Sequence, residues 1–163
     1  MSESQTASDR QAARPPLPWS EPGILVGVDG SAEALDALAY AADIAPKLGL
    51  PVHGLVVWDY PTLQWSDGLG WYYPGTYDDL QRNAEELGTD AAARVFPDGP
   101  PDWFTSSAWN GSAARDLVAA SKDAAMLVVG TRGHGGLTGL LLGSVSSACA
   151  THAHCPVLIV RDH

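Results

Sequence analysis

The chain is poor in most features that mark specialised protein classes. Only two of its 163 residues are cysteine, Cys149 and Cys155. That is too few for the disulfide framework of a small secreted domain, and a reducing cytosol keeps such residues as thiols. Basic residues are also scarce: nine Lys and Arg stand against 19 Asp and Glu, for a formal net charge of -10 and a pI near 4.6. So few cations do not make the basic face that nucleic acid or an anionic membrane requires, and neither partner is expected. A small anion is a different matter, because backbone N–H groups hold phosphate with little formal charge. Long apolar runs are missing as well. Stretches such as Met126–Val129 and Val157–Val160 fall far short of the ~20 residues that span a bilayer. Met1-Ser2-Glu3-Ser4-Gln5-Thr6 lacks a charged stretch leading into an apolar core, so no secretory signal is expected and the cytoplasm is the expected location.

What is present reads as one globular domain. A hydrophobic content of 45% over this length buries roughly two thirds of the unfolded surface without staples. Residues 1–20, rich in Ser, Gln, Arg and Pro, read as a disordered leader, and 21–163 as the domain. Gly23–Val28 is an apolar run of strand type, and Asp29-Gly30-Ser31 is a turn able to cap a helix. Leu35, Leu38, Ala42 and Ala45 recur at helical spacing between Ser31 and Leu48, before Gly49 and Pro51 stop the pattern. Val52–Trp58 is a second strand, so the first two strands are parallel with a right-handed crossover.

Residues 59–76 form a long aromatic loop, with Tyr60, Trp65, Trp71, Tyr72 and Tyr73 among prolines and glycines. Such a loop is either a lid stacking on a base or a set of rings packed over a sheet edge. Thr76 with Asp79 resembles a capping pair for a helix to about Arg94. A third strand (Trp103–Trp109), a helix from Asn110-Gly111-Ser112 to about Ser121, and a fourth strand (Ala125–Val129) follow. After a glycine-rich loop come a helix from Ser144 to about Ala153 and a fifth strand, Pro156–Arg161. Five strands alternating with four helices predict a doubly wound α/β domain: a five-stranded parallel sheet with helices on both faces. In such folds ligands bind beyond the carboxyl ends of strands where strand order reverses. That rule selects the loop after the first strand, at Asp29, and the loop after the fourth, from Gly130.

The second of these loops reads Gly130-x2-Gly133-x9-Gly143-Ser144. Glycine permits close approach of backbone to a ligand, and Ser144 opens a helix whose N-terminus carries partial positive charge. Phosphate fits this chemistry. The loop is not a Walker A motif, because the required lysine is missing: the only lysines, Lys47 and Lys122, lie elsewhere. Phosphate holding is therefore expected rather than fast phosphoryl transfer. Arg132 either adds a charge near the phosphates or is a solvated loop residue. Asp29 either caps the helix turn or faces the ligand, and a carboxylate beside phosphates calls for a cation such as Mg2+.

Val26-Gly27-Val28-Asp29-Gly30-Ser31 together with Gly-x2-Gly-x9-Gly-Ser resembles the universal stress protein family in its ATP-binding branch, over about residues 22–161. The resemblance implies an adenine-nucleotide-binding fold with ATP and Mg2+ as cofactors. It implies that Asp29, with Val28 beside it, contacts ribose or metal, and that the backbone of Val57 reads adenine. It further implies that Val129, Gly130, Gly133, Gly143, Ser144, Val145 and Ser146 cradle the nucleotide. The family forms dimers, commonly through the last strand, here Pro156–Arg161, so a homodimer is expected. The function so implied is a nucleotide-dependent regulatory module in stress response. The alternative is a slow metal-dependent ATPase or nucleotide pyrophosphatase with Asp29 as its catalytic group.

Two other constellations lead elsewhere less well. Cys149, His152, His154 and Cys155 are of zinc-ligand type, but no CxxC pair exists, and a His at a helix C-terminus has its own electrostatic explanation. His134-Gly135-Gly136 resembles an oxyanion-loop fragment, yet no G-x-S-x-G elbow accompanies it, so the nearby serines serve better as helix caps and phosphate donors.

Overall fold

The computed structural model describes residues 16–18, 21–59, 75–133 and 142–161. Most of the leader, the aromatic residues 60–74 and the His134-Gly135-Gly136 fragment lie outside the described residues. Five strands, β1 (Ile24–Val28), β2 (Val52–Trp58), β3 (Phe104–Asn110), β4 (Met126–Gly130) and β5 (Val157–Val160), make one sheet in the order β3-β2-β1-β4-β5. All pairings are parallel. Four helices connect them: α1 (Ala32–Leu48), α2 (Tyr77–Val95), α3 (Ala113–Ala120) and α4 (Ser144–His152). The fold is the doubly wound α/β architecture expected from the sequence.

Local chemistry sets the helix ends. The Ser31 hydroxyl accepts from the Ala34 N–H at 3.2 Å to start α1, and Gly49, at φ +66°, ends it in the left-handed conformation. Thr76 and Asp79 form a reciprocal capping box at the start of α2, the pair anticipated from the sequence. The third helix, expected to run to about Ser121, ends at Ala120, and Ser121–Asp123 form a separate 3-10 turn.

Burial follows the pleat. Ile24, Val26 and Val28 with Val52, Val56 and Val128 face α1 and α2, where Ala37, Leu38, Ala41, Ala84 and Ala91 meet them. Leu25, Leu55, Leu127 and Val129 face the other way, onto Leu117, Ala120 and Cys149 of α3 and α4. Leu17, ahead of the sheet, packs against this second cluster. Successive residues supply opposite faces, so β1, β4 and β5 read as continuous apolar runs.

One polar side chain is sealed inside β2. His53 is 2% exposed; its Nδ1 lies 2.7 Å from Thr105 Oγ1 and its Nε2 2.8 Å from Ser107 Oγ, both on β3. Burial pushes its pKa down to about 4, so the ring is neutral at physiological pH.

The chain moves from β1 outward to β2 and β3, then returns to place β4 on the opposite side of β1. Strand order therefore reverses between β1 and β4, and their carboxyl ends, at Val28 and Gly130, frame the crevice where such folds bind ligands.

Candidate functional site

The first wall of the crevice is the turn after β1. Asp29 Oδ1 accepts from the Ser31 N–H at 2.9 Å and from the Ser31 hydroxyl at 2.5 Å, while that hydroxyl accepts from the first turn of α1. Asp29 thus braces the helix start, and it also lines the cleft. The two sequence readings of this residue are compatible.

The second wall is the end of β4. A Cβ at Gly130 would stand 2.7 Å from both the carbonyl carbon and the oxygen of Glu33. Those are backbone atoms of α1 and cannot swing aside, so only glycine lets β4 and α1 meet this closely. A Cβ at Gly133 would collide with Asp29 Oδ2. The loop leaving β4 therefore lies directly against the Asp29 carboxylate, joining the two sequence signals in space.

The third wall is the N-terminus of α4. Its N-cap, Gly143, has no side chain to satisfy the first turn, so the N–H groups of Ser144, Val145 and Ser146 lack an intrahelical acceptor at the positive end of the helix dipole. Hydrogen bonds lace this end to β4: Gly143 N–H donates to Thr131 O at 2.8 Å, and the Ser146 hydroxyl to Gly130 O at 2.6 Å. The Ser146 hydroxyl, expected as a phosphate donor, donates here to Gly130 O.

These walls frame a cleft with about 470 Å³ of empty space, its open mouth included. Val28, Asp29, Val57, Val129, Gly130, Arg132, Gly133, Val145 and Ser146 all line it. Gly143 and Ser144 stand behind them: Gly143 packs on the backbone of Thr131 and Arg132, and Ser144 is exposed at the helix start. Arg132, exposed at the rim, is the cation among the described lining residues.

Sequence reasoning missed the apolar part of the lining: Gly27, Ala34, Leu55, Ala113 and Leu117. Leu55 lies two residues before Val57 and so shares its sheet face. Ala113 and Leu117 are four apart on α3 and so share a helix face. The resulting slot is aliphatic at one end and rich in backbone N–H at the other, a division suited to a flat apolar ring joined to an anion.

Among the described residues, no three His, Cys, Asp or Glu side chains come together to hold an ion, so Cys149, His152, His154 and Cys155 do not form such a group. Cys149 is buried, and burial together with the neighbouring Cys155 pushes its thiol up to about 11. Among the described residues, no helix is long and apolar enough to cross a membrane.

Comparison with known proteins gives a consistent result. The model of the Universal stress protein family matches residues 23–161. The universal stress protein Rv2623 of Mycobacterium tuberculosis is 35% identical over 148 residues, covering 90% of this chain and 47% of that protein. The universal stress protein MJ0531 of Methanocaldococcus jannaschii is 31% identical over 143 residues, covering 85% of this chain and 81% of the relative. The chain thus spans about half the length of the mycobacterial relatives it matches. Among solved structures, a universal stress protein in complex with cAMP aligns with a TM-score of 0.61 at 26% identity, over 88% of this chain and 98% of that one.

Proposed function

The chain belongs to the universal stress protein family, and from that premise we propose that its cleft holds an adenine nucleotide, ATP with Mg2+, and that occupancy regulates the protein's action in stress response. The observation that carries the proposal is the division of the cleft. At one end Leu55, Val57, Ala113 and Leu117 form an aliphatic slot without a side-chain hydrogen-bonding group. At the other, Gly130 and Gly133 sit where a Cβ does not fit, beside an α4 N-terminus with no side-chain cap. Phosphate oxygens are the natural acceptors for such N–H groups.

In this reading the base lies against Leu55, Val57 and Leu117, with the backbone of Val57 reading its edge. Val28 and Asp29 face the ribose. Val129, Gly130, Gly133, Gly143, Ser144, Val145 and Ser146 form the phosphate cradle, and Arg132 adds charge at the rim. The cation fits a single-carboxylate role: Mg2+ takes one or two carboxylates and completes its shell with phosphate oxygens and water, and Asp29 is the carboxylate in place. Bound Mg2+ would neutralise phosphate charge in a chain of net charge -10. No lysine stands in the cradle, so the site holds phosphate rather than transferring it. The same reading makes the protein a cytoplasmic homodimer joined through its last strand.

The test is identification of ligand released from freshly purified, denatured protein by mass spectrometry, with calorimetric titration of ATP and Mg2+ into the emptied protein. An adenine nucleotide in the released fraction and saturable heat are expected. No nucleotide and no heat above dilution would remove the proposal.

A further inference from the structure

β3 closes the sheet on the side away from β5, so one of its edges meets β2 and the other meets no strand of the sheet. The Val52 N–H donates to Trp103 O at 2.8 Å and the Gly111 N–H to Trp58 O at 2.8 Å, so Trp103, Gly111 and the odd-numbered residues between them turn their backbone groups toward β2. By the alternation of an extended chain, Phe104, Ser106 and Ala108 turn theirs outward. The ends of this outer edge are already engaged: Phe104 N–H donates to Pro101 O at 2.9 Å, and Ala108 O accepts from Gln81 Nε2 at 3.0 Å. Between these caps, Phe104 O, Ser106 N–H, Ser106 O and Ala108 N–H have no partner among the described residues. The open stretch is long enough for about five residues of a second extended chain. Phe104–Asn110 carries neither charge nor proline, the usual devices against edge pairing, and Thr105 and Ser106 are exposed.

A groove runs beside this edge under α2. Buried Ala92 and Phe104 and half-buried Phe96 make its floor, and exposed Ala93, Pro97 and Pro100 its sides. Ser106 faces the same way, since a Cβ at Gly88 of α2 would stand 3.6 Å from its hydroxyl oxygen. A residue laid opposite Ser106 on an added strand projects to the face that Ser106 occupies, whichever way the strand runs, and so into the groove. The floor is hydrocarbon and suits an aliphatic side chain. Residues two positions to either side project to the same face, over the ends of the groove, and both ends are acidic. Glu85 Oε1 lies 2.8 Å from Gln81 Nε2, the amide that caps Ala108, while exposed Asp98 and Asp102 stand in the turn that leads into Phe104. Among the described lining residues there is no Lys or Arg. Such a rim selects cations.

We propose that the outer edge of β3 docks an extended segment of a partner protein in which an aliphatic residue stands two positions from a basic residue on either side. The segment adds a strand to the sheet. Its backbone pairs with Phe104 O, Ser106 and Ala108 N–H, its aliphatic side chain fills the groove, and its cations meet Glu85 at one end and Asp98 and Asp102 at the other. The groove and the nucleotide cleft share no lining residue among those described, so the proposal stands apart from the nucleotide reading.

The probe is the end-capped peptide Lys-Thr-Leu-Thr-Lys, whose pattern is the same in either strand direction, titrated into the isotope-labelled full chain by NMR. Amide resonances of Ser106, Ala108 and Ala92–Phe96 should shift together and saturate. A peptide with Glu in place of both lysines should bind at least about tenfold more weakly, because like charges then meet at both ends. Ser106→Pro deletes an outward N–H and leaves the β2–β3 ladder intact; it should also weaken binding at least about tenfold, as loss of a bond whose acceptor stays unpaired. Should Ser106→Pro not fold, Ala93→Lys, at an exposed helix position, sets a cation in the groove and should weaken the lysine peptide. Absence of saturable shifts, saturation at another surface, equal affinity for the Glu peptide, or undiminished binding by the folded variant would each overturn the proposal. So would Ser106 and Ala108 amides already protected from exchange in the free chain: release on dilution would assign the edge to a second copy, and persistence to the chain's own leader.

Discussion

Acidification should destabilise the protein through one residue, His53. Its pKa lies near 4 in the folded chain against an ordinary value of 6.5, and the cause is burial: the ring is 2% exposed and both nitrogens sit within hydrogen-bond reach of neutral hydroxyls, Thr105 and Ser107. Below pH 6.5 the unfolded chain takes up a proton that the folded chain refuses until about pH 4. The unfolded state thus binds more protons across that window, and stability falls as pH falls through it. Above pH 6.5 both states are neutral and the stability is fully present. A difference of about 2.5 pH units at ~1.4 kcal/mol each gives a total loss on the order of 3 kcal/mol. Urea unfolding at half-unit intervals from pH 4 to 8 measures it. Carboxylates titrate at the low end of the range, so the comparison is with His53→Gln, which keeps a donor and an acceptor but does not titrate. The wild-type curve should fall by ~3 kcal/mol more than the variant's across the window. Parallel curves would refute the reasoning, and so would a His53 ring that titrates by NMR near its ordinary value.

Other perturbations test the frame of the site. Gly130→Ala forces a methyl against the backbone of Glu33, with 2.7 Å contacts, and should cost about 1–3 kcal/mol in chemical denaturation, typical of overpacking; an unchanged midpoint would contradict the close approach. Leu117→Ala, at a residue 3% exposed that lines the cleft, should cost ~2–5 kcal/mol and weaken nucleotide binding by calorimetry, because the slot loses a wall. Thr76→Ala removes the acceptor for Asp79 N–H and should lower stability by ~1 kcal/mol without touching ligand affinity. A change in affinity there would mean that the start of α2 communicates with the cleft.

The parts of the molecule legible in the sequence are those governed by local chemistry. Apolar runs such as Ile24–Val28 mark strands covered on both faces, and the Thr76–Asp79 spacing marks a helix start. Asp29 and Gly130 could be paired because the carboxyl ends of parallel strands share one side of a sheet. What stayed hidden depends on which face of an element turns inward. Leu117 lines the cleft because α3 presents its Ala113–Leu117 stripe to the sheet, a rotation that an eight-residue helix with few polar markers does not announce. Asp116, on the same helix, is fully buried, with Arg115 Nε 2.9 Å from its carboxylate. The bond of the Ser146 hydroxyl to Gly130 O, which holds α4 to β4, joins residues 16 apart in the chain and has no local signal.

The central claim is that an adenine nucleotide lies between the Asp29 turn and the start of α4, and ligand-titration NMR of the isotope-labelled chain tests it most directly. With ATP and Mg2+ added, amide resonances of Gly130–Gly133 and Ser144–Ser146 should shift together with the methyls of Leu55, Val57 and Leu117, saturating at one constant. Shifts confined to other surfaces, or none at concentrations that saturate a nucleotide site, would contradict it.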